Sequence, residues 1–163
     1  RLDPYNYVAH LDLGYVYLML EDDIQAEAHL QQALMLKPDL AVAYNNLAYL
    51  YVERGLYLNK AASLAEKAVQ LEGDNPAYLD TLGWVYYHQG KLLEAVRYLK
   101  RALEAGQGDM APESLVEIYY HLALAYRSTG ASALFEDTVE KGLALQVDSP
   151  FTEKLRGLLQ SQE

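Results

Sequence analysis

Leu13, Tyr15 and Tyr17 are followed 34 residues later by Leu47, Tyr49 and Tyr51. Leu82, Gly83 and Tyr86 stand 35 residues after Leu47, Ala48 and Tyr51, and Leu122, Ala123 and Tyr126 come 40 residues later again. A period near 34 constrains the fold more tightly than composition can. Each repeat is one supersecondary unit that cannot bury its apolar face alone, so neighbours must stack to make a core. Within each unit the apolar residues fall at helical spacing, and strand-like alternation is hard to find. The sequence therefore predicts a chain of helix–turn–helix units. Gly83, Ala95 and Ala102 punctuate the large side chains of the third unit. Small residues let two helix axes approach, so these positions are expected where helices cross.

The residues at fixed positions carry a family resemblance. Leu79, Leu82, Gly83 and Tyr86, followed by Ala95, Leu99 and Ala102, resemble the tetratricopeptide-repeat pattern. The first repeat reads His10, Leu13, Gly14, Tyr17, Ala26, Leu30, Ala33 and Pro38; the second reads Tyr44, Leu47, Ala48, Tyr51, Ala61, Ala65 and Ala68. The fourth repeat starts with Leu122, Ala123 and Tyr126 and then departs, with Phe135 and Gly142 where small alanines are expected. The resemblance implies an all-α, right-handed superhelical solenoid of antiparallel helix pairs with a C-terminal capping helix. It reads as part of a longer, bacterial-type array. Residues 1–6 resemble the tail of an upstream repeat, since Leu2 and Pro4 align with Leu36 and Pro38. Repeats are expected at 7–40, 41–75 and 76–109, a connection at 110–115, a degenerate repeat at 116–149 and a cap at 150–163.

Helices are expected at 6–20, 23–36, 40–54, 60–72, 76–89, 92–105, 113–129 and 132–146, with a last one from 150. Gly55, Gly90 and Gly130 are placed to end the first helix of a pair in the left-handed conformation. Ser114 and Glu117 offer a capping box for the fourth repeat, and Pro112 an alternative start. In the cap, Phe151, Leu155, Leu158 and Leu159 share one helical face, with Thr152 and Lys154 on the polar side.

Several function classes are disfavoured by what the chain contains. There are no cysteines among 163 residues, which removes disulfides, thiolate nucleophiles and cysteine–zinc sites but leaves the compartment open. No apolar run reaches the ~18 residues of a membrane helix, so membrane insertion is not expected. The net charge of −10 argues against binding a phosphate backbone. Residues 7–40 carry six acidic and one basic residue, a net charge of −5. Lys91, Arg97, Lys100 and Arg101 cluster near one helix and read as a solvated outer face. His10 takes a packing position, His29 is expected in solvent, and His88 and His121 on the concave surface. With no histidine pair one turn apart, no metal site is expected. Glu21–Asp23 reads as a solvated acidic turn, because a calcium loop needs a glycine at its sixth position. The segment 104–114 has no phosphate-binding glycine motif. No cofactor is expected, and nothing in the spacing argues for catalysis.

The resemblance assigns the informative surface to the first helix of each pair. Carried over position by position, the groove of the first repeat includes Leu11, Asp12 and Tyr15, and that of the second Asn45, Asn46 and Tyr49. The third repeat supplies Asp80, Trp84, Tyr87 and His88, and the fourth Tyr120, His121 and Arg127. Tyr15, Tyr49 and Trp84 occupy one position in successive repeats, which reads as an aromatic track; the alternative is that these rings pack between helices. The carboxylate-clamp positions of the family fall on Leu11, Tyr15, Asn46, Ala77 and Thr81, of which only Asn46 agrees. The expected function is a non-catalytic adaptor holding a protein or peptide, apolar with some basic residues, in the groove. A self-associating scaffold is the alternative, and an enzyme or sensor domain the third.

Overall fold

The computed structural model describes residues 6–108 and 110–160; the tail at residues 1–5 and the end at 161–163 lie outside it, and so does Asp109. Among the described residues there are nine helices and no strand. The chain divides into two compact units, residues 1–73 and 74–163.

In the first unit α1 spans Tyr7–Met19, α2 Asp23–Leu36, α3 Ala41–Glu53 and α4 Leu58–Leu71. α1 packs on α2 and α3 on α4, and α2 joins the pairs by lying against α3. Their common core is Leu30, Ala43 and Leu47, with Leu11, Leu18, Leu34, Leu40 and Leu64 packed around it. The Asn6 side chain accepts from the amides of Val8 and Ala9, and Asp22 accepts from that of Gln25, so α1 and α2 each satisfy orphan donors at their starts. The expected solvated turn is therefore tied down: Asp22 caps, and the Arg54 guanidinium grips Asp23 with its Nε 2.6 Å from the carboxylate. The Tyr51 hydroxyl donates to Glu27 on α2 at 2.5 Å and accepts from Lys60 on α4 at 2.7 Å, which links three helices at one phenol.

The second unit holds α5 (Pro76–His88), α6 (Leu92–Gly106), α7 (Pro112–Ser128), α8 (Ser132–Ala144) and α9 (Pro150–Gln160). Proline opens α5, α7 and α9, where its missing N–H costs nothing. α7 thus starts at Pro112, and Ser114 and Glu117 do not form the expected capping box but lie inside the helix. The connection before α7 is fastened by Met110 and Leu115, whose side chains approach Gly106 to within contact distance.

The small positions sit at helix crossings. A Cβ on Gly83 would lie 2.6 Å from Leu99 Cγ and 3.1 Å from Leu99 N, and one on Gly14 would lie 2.7 Å from Leu30 Cγ. Both pairs are 16 residues apart, so the same contact is rebuilt in two repeats. Gly142 meets Leu155 of α9 and Tyr119 of α7, which is where the last small residue of a repeat meets the next helix. Gly55, Gly90 and Gly130 adopt φ of 62°, 73° and 73° at the turns, as their spacing predicts. In the first repeat the equivalent position is Glu21, at φ 56°, an L-residue in the conformation the other repeats give to glycine.

The cap differs from its sequence pattern in one detail. Leu155 and Leu158 are buried, but Leu159 is exposed and Thr152 is buried in its place. Thr152 can turn inward because its hydroxyl donates to the Val147 carbonyl at 2.9 Å. The buried stripe therefore runs through 152, 155 and 158.

Candidate functional site

The predicted groove residues fall into two groups with different physical character. In the first unit Tyr15 of α1 and Asn46 and Tyr49 of α3 line one open cavity of about 420 Å3, together with Leu18, Met19 and Glu53. Tyr15 is 55% exposed, so its ring is offered to solvent. Asp12 is exposed on α1. Leu11, by contrast, packs against the core and does not belong to the cavity wall. Asn45 is half-buried, and its amide oxygen is buried without a hydrogen-bond partner.

The second unit arranges its residues inward. Asp80 of α5 is 7% exposed, and His121 of α7 only 2%. The His121 Nδ1 lies 3.0 and 3.2 Å from the two carboxylate oxygens of Asp80. A carboxylate accepts only, so the imidazole donates from Nδ1. Trp84 stacks on His121 with ring centroids 4.1 Å apart and on Tyr87 at 5.1 Å, and meets His88 edge-on at 4.3 Å. The aromatic-track reading of Trp84 gives way to its alternative, packing between helices, and His121, expected on the concave surface, is buried against it. The reason is that α5 and α7 pack in contact, and their facing positions become core. Tyr87 and Tyr120 are half-buried, and His88 and Arg127 are exposed. Tyr120 packs near Phe151 of α9, and Lys154 lies over both rings.

His29 also departs from its expected place in solvent. Its Nδ1 lies 2.9 Å from that of His10, and its ring stacks on Tyr17. Burial, and then the neighbouring His10, hold the His29 pKa below its ordinary value of 6.5. The folded state thus binds fewer protons at this group than the unfolded chain. Its contribution to stability is complete above pH 6.5 and is lost as the pH falls through that value toward the lowered one. Thermal melts between pH 7.5 and about pH 5 should fall more steeply for the parent than for His29→Gln, which keeps a polar group but does not titrate. Parallel slopes would remove the imidazole pair as the cause.

The basic cluster behaves as expected. Lys91, Arg97, Lys100 and Arg101 are exposed, and Arg97 and Arg101 lie over the ring of Tyr98. No helix among the described residues is long and apolar enough to cross a membrane.

Comparison with known proteins places these geometries in context. Profiles described as tetratricopeptide repeat match residues 7–40 and residues 76–108. A TPR repeat-containing protein of Pseudomonas aeruginosa is 40% identical over 102 residues, covering 60% of this chain and 17% of the relative. The type IV pilus assembly protein PilF of the same organism is 28% identical over 142 residues, covering 87% of this chain and 54% of the relative. The chain therefore spans well under two thirds of either curated relative. A solved structure of Pseudomonas aeruginosa pilF superposes with a TM-score of 0.79 at 25% identity, covering 96% of this chain and 68% of that one.

Proposed function

Because this chain is a tetratricopeptide-repeat protein, a family of protein-interaction adaptors, we propose that it holds a segment of a protein partner against the cavity between α1 and α3. The observation that carries this reading is the convergence of Tyr15, Asn46 and Tyr49 on one open cavity. Aromatic rings give contact area at low entropic cost, and an amide can both donate to and accept from an extended backbone. Glu21 and Glu53 also line the cavity, and Asp12 lies exposed on the same helix as Tyr15. The surrounding carboxylates favour a segment that is apolar with some Lys or Arg, with charge acting mainly on association rate and selectivity. PilF is named an assembly protein and its likeness covers 87% of this chain, so the partner class proposed is a subunit of a larger protein assembly. The role needs no catalytic group and no cofactor.

The test is peptide display against the immobilised chain, followed by calorimetric titration of the enriched peptides. Enriched sequences should combine apolar and basic residues. Tyr15→Ala and Tyr49→Ala should each weaken them about tenfold or more, which is ~1.4 kcal/mol or above. Unchanged affinity in both variants would move the interaction to another surface.

A second reading, self-association, has its own observation. Ile24, Met35 and Leu20 are 79%, 77% and 67% exposed in the first unit. Apolar residues in such number on one small unit favour contact with another chain. A sedimentation series distinguishes the two, since a scaffold grows with concentration and a monomeric adaptor does not.

A further inference from the structure

We propose that Asp80, Glu117 and His121 form a binding site for a divalent first-row transition-metal ion of the zinc class. One ligand atom from each of the three lies within 4.8 Å of the other two. Glu117 and His121 are one turn apart on α7, so they share a helix face, and Asp80 is brought to them by α5. Metal bonds of about 2.0–2.2 Å put neighbouring donors roughly 3–3.5 Å apart. The His121–Asp80 separations of 3.0 and 3.2 Å already meet that spacing. A carboxylate oxygen of the half-buried Glu117 lies within 4.8 Å of both.

The donor chemistry selects the ion. One imidazole nitrogen with two carboxylates suits zinc, cobalt or manganese, whereas magnesium and calcium favour oxygen alone. Two carboxylates beside one imidazole leave negative charge in a largely buried place, which a dication offsets. The imidazole is also held for the task. Trp84 stacks on it at 4.1 Å with the planes 14° apart, and Phe151 meets it edge-on at 5.8 Å. Three protein ligands leave at least one position for water or for a donor from another molecule. In the metal-free chain the Nδ1 proton occupies the place of the ion. An ion on Nδ1 therefore leaves the neutral ring with its proton on Nε2, and an imidazolium must first give one up, so binding weakens as the pH falls. Spacing motifs miss this site because Asp80 and His121 are 41 residues apart and meet only through packing of α5 on α7.

The experiment uses zinc(II) and cobalt(II) chloride, titrated into the full chain. Trp84 is the only tryptophan and lies against His121, so its emission reports on this site and not on the His10–His29 pair. One ion per chain should bind with a change in Trp84 emission, more weakly at pH 6 than at pH 7.5. Glu117→Gln should lower the affinity at least tenfold with unchanged helicity, and Glu117→Asp should lose part of it. His29→Gln should leave it unchanged. No emission change at millimolar zinc(II), or parent-like binding by Glu117→Gln, would overturn the proposal. So would loss of binding in His29→Gln with retention in Glu117→Gln. If Glu117→Gln is unfolded, Glu117→Asp decides alone, and its parent-like affinity counts against the site.

Discussion

Gly83→Leu should destabilise the second unit by about 2–4 kcal/mol, well beyond the effect of an ordinary surface substitution. Even a single methyl at this position would stand 2.6 Å from Leu99 Cγ and 3.1 Å from the Leu99 backbone nitrogen. Leu99 is fully buried, so its side chain has no empty space to rotate into. The backbone nitrogen cannot retreat unless α6 moves as a whole. A branched side chain therefore forces the crossing apart and opens gaps elsewhere in a close-packed core. Urea unfolding followed by Trp84 emission reads this directly, because Trp84 is in the same unit. Gly157, where an added Cβ would meet nothing within 4 Å, is the control. Gly157→Ala should be neutral or stabilising by up to about 1 kcal/mol, through helix propensity. Parent-like stability of Gly83→Leu would show that α5 and α6 tolerate separation.

Asp80→Ala should cost about 2–4 kcal/mol as well, by a different mechanism. The carboxylate takes a hydrogen bond from the Nδ1 of a histidine that is 2% exposed. Removing it strips the acceptor from a buried donor, and the desolvation cost of that donor then stands uncompensated. Asp80→Asn retains an amide oxygen at the same reach and should cost less, about 1 kcal/mol. The ordering of the two variants is the informative part. Equal losses would mean that shape, and not the hydrogen bond, holds α5 to α7.

Much of this protein is legible along the chain. The period near 34 fixes the helix pairs, and the spacing of Gly55, Gly90 and Gly130 fixes where the first helix of three pairs must end. Those are local matters: a left-handed turn costs least with a residue that lacks a Cβ, and a helix crossing needs a small one. Local competitors set two starts, one at the alternative the spacing offered and one earlier than expected. Pro112 supplies a preset φ and begins α7 ahead of Ser114, while Tyr57 takes φ 48° and lets α4 begin at Leu58.

The site residues divide along another line. Repeat register alone assigned Tyr15, Tyr49 and Trp84 to one position. Register says which face of a helix a residue occupies, but not what covers that face. Tyr15 is left open, whereas Trp84 is covered by His121, Tyr87 and His88. The difference lies in partners drawn from other turns and another helix. The same holds for Asp80, Glu117 and His121. Each is an ordinary polar residue in its own stretch of sequence. Their donor atoms come within 4.8 Å only because α5 and α7 pack in contact. Sequence by itself determined the repeat, the turns and the close approaches, since those depend on the size and backbone freedom of single residues. Tertiary structure alone decided burial and the meeting of charges, since those depend on which surfaces are brought together across the chain.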